Sequence, residues 1–84
     1  MVNALAKVDE ELVSDLTNVI EELGGSITII DMRNKIFRLD VDPRFQTYAS
    51  KMVNDIFSAY RVKRARLLED NPFLGVEEIV EDLG

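Results

Sequence analysis

Eighty-four residues, 46% of them hydrophobic and 31% charged, have the length and composition of one small folded domain and are too apolar for a disordered chain. With no cysteine and no histidine, disulfides, thiolate metal sites and the usual acid–base group near neutral pH are all excluded. The net charge of −6 argues against a large phosphate-neutralising surface.

From the N-terminus, Val8, Leu12, Leu16, Val19, Ile20 and Leu23 recur at the spacing of one helix face, and carboxylates fill most positions between them. The pattern predicts an amphipathic helix over residues 4–23, started at Asn3 or Asp9 and ended by Gly24-Gly25. Two β-branched and aromatic runs follow, SITIIDM and IFRLDVD, separated by RNK. They predict a β-hairpin. Its register is open: a two-residue turn groups Ile30, Met32, Phe37, Leu39 and Val41 on one face, whereas a three-residue loop groups Ile27, Ile29, Phe37, Leu39 and Val41. An isolated hairpin is marginal in water, so it must pack on helices, and its edge is available to a copy of itself.

Asp42-Pro43 then starts a helix, since the carboxylate accepts from free N–H groups and proline lacks the donor that would be orphaned there. Phe45, Ala49, Met52, Val53, Ile56, Phe57 and Tyr60 form its apolar stripe, and Asn71-Pro72 stops it. A helix from residue 43 to 69 is about 40 Å long at ~1.5 Å per residue, and a strand of six or seven residues spans only roughly 20–25 Å. Half of the helix therefore outruns the hairpin and must meet helix 1, the tail or another subunit. Last, Val76, Ile79, Val80 and Leu83 fall at i, i+3, i+4 and i+7 among Glu77, Glu78, Glu81 and Asp82. Residues 72–84 are expected to be an acidic amphipathic helical tail that needs a surface to bind.

The order helix, antiparallel hairpin, long helix, short helix makes the fold class α+β, in a single domain spanning residues 1–84. A homodimer is expected, because a chain this small buries only about 60–65% of its unfolded surface and gains from a partner subunit. No apolar run approaches the ~18–20 residues that span a bilayer, and MVNALAK has no signal-peptide pattern; a cytoplasmic protein is expected.

Charge is unevenly spread. Residues 1–42 carry four basic and nine acidic groups, residues 43–69 six and two, and residues 70–84 none and five. The positive part centres on Arg61, Lys63, Arg64 and Arg66, with Tyr60 beside them to stack on a base, which is one reading of the chain as a nucleic-acid-binding protein held in check by its acidic tail. The competing reading is that the basic side chains complement the negative end of their own helix and receive the tail.

Asp31, Asp40 and Asp42 are hard oxygen donors that one hairpin register brings to a common face, the best carboxylate cluster for a divalent cation, though without the ligand spacing or central glycine of a calcium loop. Ser14, Ser26, Ser50 and Ser58 have no histidine to activate them. The favoured reading is a non-enzymatic protein-interaction or regulatory protein without a cofactor. Its partner-binding residues would be Phe73, Leu74, Val76, Ile79, Val80 and Leu83, the anchors of an amphipathic helix laid into a groove.

Overall fold

The computed structural model describes residues 4–71. It contains helix α1 (Ala4–Glu22), strands β1 (Ser26–Asp31) and β2 (Ile36–Asp40), a 3-10 turn at Pro43–Phe45 and helix α2 (Gln46–Asp70). The fold is α+β, as the order of patterns predicts. The tail over residues 72–84 lies outside the described residues.

Helix α1 buries Leu5, Leu12, Leu16 and Ile20. Asp9 lies inside the helix and does not start it. The end is a glycine-closed motif: Gly24 N–H donates to the Glu21 carbonyl at 2.9 Å, Gly25 N–H to the Ile20 carbonyl at 3.0 Å, and Gly24 takes φ +74. Gly25 is needed for another reason. A Cβ there would run into the Asp40 carbonyl oxygen and the Val41 side chain, so the chain enters β1 by passing hard against the end of β2.

The strands pair antiparallel with Ile27 opposite Leu39 and Ile29 opposite Phe37, and the register then slips so that Asp31 meets Ile36. Neither the two-residue turn nor the three-residue loop occurs. Met32–Lys35 form the connection, and Ile30 is the extra residue of a bulge. The cause is Asp31, whose carboxylate accepts from Arg33 N–H (3.1 Å), Asn34 N–H (3.2 Å) and the Asn34 amide (2.7 Å). Lys35 completes the turn at φ 56. With the odd residue absorbed by the bulge, Ile27, Ile29, Phe37, Leu39 and Val41 share the inner face, the grouping attached to the longer loop.

Asp42 performs its expected capping role on the 3-10 turn, accepting from Arg44 N–H at 2.9 Å, while the Arg44 guanidinium returns to the same carboxylate at 3.1 Å and covers the Phe45 ring. The α-helix proper begins only at Gln46, three residues later than proline placement suggests. It ends at Asp70 and is capped by Asn71, the residue before proline.

The two helices run antiparallel. Val8 and Glu11 lie beside Lys63, Arg66 and Leu67, and Leu12 and Asp15 beside Ile56 and Ala59. The half of α2 that outruns the hairpin is therefore covered by α1. The core is mostly this helix pair: Leu12, Leu16, Ile20, Ala49, Val53 and Phe57 are at most 2% exposed. The hairpin closes one side through Phe37, whose ring stacks on Phe57 with centroids 5.7 Å apart.

Candidate functional site

Tyr60 is where the structure departs most from the basic-segment reading. Its ring is buried edge-on to Phe57, and its hydroxyl donates to Asp9 Oδ1 of α1 at 2.6 Å. It is not available to stack on a base. Burial, reinforced by the Asp9 carboxylate, pushes its pKa up to about 12, so it stays protonated and locked as a donor.

The four basic residues do not form one surface. At about 100° per residue, Arg61 and Arg64 fall on one flank of α2 and Lys63 and Arg66 on the other. Lys63 is held by Glu11 across the helix pair at 3.2 Å, and Arg64 is half-buried. A single track of phosphates along one flank of α2 would therefore meet two of the four cations.

The three aspartates are also separated by use. Asp31 organises the hairpin turn, with hydrogen bonds from Asn34 and the nearby Arg33 holding its carboxyl below the usual range. Asp42 caps the 3-10 turn and is lowered by Arg44. Asp40 sits on the outer face of β2, opposite Ser26. Among the described residues no group of three carboxylates is gathered as a metal ligand set; the register that would have aligned them is the one the bulge replaces.

An open cleft lies between the hairpin tip and the helices, lined by Asp9, Ile30, Asp31, Met32, Arg33, Ile36 and Tyr60. Its titratable groups with shifted values, Asp31 and Tyr60, are moved away from neutrality in opposite directions. Neither is poised for proton transfer near pH 7. What the rim does offer is apolar surface: Ile30 is 65% exposed and Ile36 49%.

A second exposed apolar surface opens at the start of α2, where Phe45 and Tyr48 are one turn apart and Tyr48 is 56% exposed. The stripe assigned to this helix from its sequence is thus split: Ala49, Val53, Phe57 and Tyr60 enter the core, and Phe45 stays outside. Ile30 and Ile36 escape sequence reasoning because only the bulge decides which way they point. Phe73, Leu74, Val76, Ile79, Val80 and Leu83, the anchors expected in the tail, lie outside the described residues.

These features define the class: a small α+β domain of two antiparallel helices closed on one side by a bulged hairpin. Comparison with protein-family models, with curated proteins and with solved structures finds no match. Among the described residues no helix is long and apolar enough to cross a membrane.

Proposed function

We propose that this chain is a non-enzymatic protein-binding module that works as a homodimer. The observation that supports it is where the apolar surface is left over. In a domain with so small a core, Ile30 and Ile36 at the hairpin tip and Phe45 and Tyr48 at the start of α2 remain outside it as two neighbouring pairs, beside the single exposed Val13 and Val62. Paired apolar and aromatic side chains ringed by charge are the usual anchors of polypeptide recognition. The residues 73–83 add a third apolar stripe by their spacing, so the same reading assigns Ile79 and Leu83 to partner contact.

The test places a photo-crosslinking amino acid at Tyr48, at Ile30 and, as a polar control, at Ser58 of the full chain in its native cell. Discrete adducts at Tyr48 or Ile30, absent at Ser58 and lost when Ile79→Asp and Leu83→Asp are added, are the expected result. Adducts of equal yield at all three positions, or none at any, would overturn the reading.

A further inference from the structure

Among the described residues neither outer edge of the hairpin is paired, and the two edges are unlike. That of β1 is interrupted at Ile30 by the bulge, a common way of blocking further strand pairing. That of β2 runs from Ile36 to Asp40 without bulge or proline. The inner face behind it is incompletely sealed: Phe37, Leu39 and Val41 are all half-buried, whereas the helix residues they pack against are nearly inaccessible.

The outer face of β2 carries Arg38 and Asp40, two positions apart and both exposed. Neither makes a side-chain hydrogen bond or ion pair among the described residues. Their arrangement about Leu39 is symmetric with opposite sign. If two copies of β2 pair antiparallel around a two-fold axis perpendicular to the sheet, facing residues must lie on the same face, so the axis must pass through a residue. Centring on Arg38 or on Asp40 puts like charges directly across from each other, which is destabilising. Centring on Leu39 puts Arg38 opposite the partner's Asp40 twice over, Leu39 opposite its own copy, and Phe37 opposite the partner's Val41. Among the centres Arg38, Leu39 and Asp40, charge selects Leu39.

We infer that β2 is a self-association edge: two copies of this chain join through antiparallel β2 strands centred on Leu39, in a continuous four-stranded sheet in the order β1-β2-β2-β1. The pairing satisfies the free backbone groups of β2, covers the flank of Phe37, Leu39 and Val41, and places the helices of both copies on one side of the sheet. This rests on the dimeric reading above and adds to it the surface and the register.

The experiment is sedimentation equilibrium of the full chain and of three variants, Arg38→Asp, Asp40→Arg and the double swap, with circular dichroism confirming the fold of each. Since both side chains are exposed and make no hydrogen bond or ion pair among the described residues, the variants are expected to fold. Each single reversal turns two attractive pairs into two repulsive ones and should raise the dimer dissociation constant by about tenfold or more. The double swap restores opposite charges across the axis and should recover most of the loss. A dimer unaffected by either single reversal would overturn this interface and leave the dimeric reading standing, with the copies meeting elsewhere. Weakening that the double swap does not repair would overturn the register. A wild-type chain that is monomeric at micromolar concentration would overturn both the interface and the dimer.

Discussion

Tyr60 shows how a single side chain can be claimed by two roles that only packing separates. It lies beside a run of cations, which suggests nucleic acid, and at the helical spacing of Val53 and Phe57, which suggests core. The core claim prevails because the ring finds Phe57 at 6.5 Å and the hydroxyl finds Asp9, so nothing polar is buried unpaired. Tyr60→Phe should lower stability by about 1–2 kcal/mol, the range for a hydrogen bond to a charged acceptor that is only partly buried, measured by urea unfolding. The Asp9–Tyr60 bond also sets an alkaline limit. A phenol whose folded pKa, about 12, exceeds the ordinary value of 10.0 contributes stability that is complete below pH 10 and is lost as pH rises towards 12. In a Tyr48→Phe background Tyr60 is the only tyrosine, and its ultraviolet titration should have its midpoint near 12; a midpoint near 10 would show the hydroxyl to be unconstrained. Asp31 acts at the other end of the scale. Its carboxyl is lowered below 3.8, so the hairpin turn gains stability above that value and loses it as pH falls through the folded pKa. The melting temperature of Asp31→Asn should accordingly fall less steeply between pH 4 and pH 2 than that of the wild type.

At the scale of elements, the end of α1 and the turn of the hairpin contrast. Gly24-Gly25 reads correctly from sequence as a helix stop, because a residue with no Cβ is the cheapest solution for φ +74. Gly24→Ala should cost about 1 kcal/mol, the usual penalty for a left-handed Cβ. Gly25→Ala should cost more, because its Cβ meets the backbone of β2, which cannot swing aside as a flexible side chain can. Thermal unfolding of the two variants gives the order, and an equal loss would mean that β2 yields. The hairpin was legible as a hairpin but not in its register. Loop length is decided by competition between turn geometries that local sequence alone does not rank. Here the Asp31 side chain recruits three donors, lengthens the loop to four residues and forces the bulge at Ile30. The split of the basic segment has a simpler origin: four cations within six residues cannot share one face of a helix that turns every 3.6 residues.

For the molecule as a whole, stability rests on a core of few residues. A domain of this length is expected to be stable by about 4–12 kcal/mol, and removing a buried phenylalanine ring costs about 3–5 kcal/mol. Phe57→Ala, which takes away the contact shared by α1, α2 and the hairpin, should therefore leave the chain unfolded or close to it at 37 °C by circular dichroism. Survival with a loss under 1 kcal/mol would show that the hairpin is not needed to hold the helices together. The same whole-molecule view bears on nucleic acid. With Tyr60 withdrawn and Lys63 paired to Glu11, anisotropy of labelled single- and double-stranded oligonucleotides at low salt should show no binding by a chain ending at Asn71, and salt-sensitive binding by that form would reinstate the basic segment as a site.

The element order, both helix ends near glycine and proline, the α+β class and most of the buried stripe are readable along the chain, because they depend on local backbone chemistry and on a 3.6-residue repeat that neighbours do not alter. Tertiary structure alone decided that α1 rather than a second chain covers the far half of α2, that Tyr60 belongs to Asp9, and that Ile30 and Ile36 face outward. Each of these turns on which surfaces meet across fifty residues of chain or on a one-residue slip between strands. Such choices are made by packing free energy summed over many contacts, and no local pattern carries that sum.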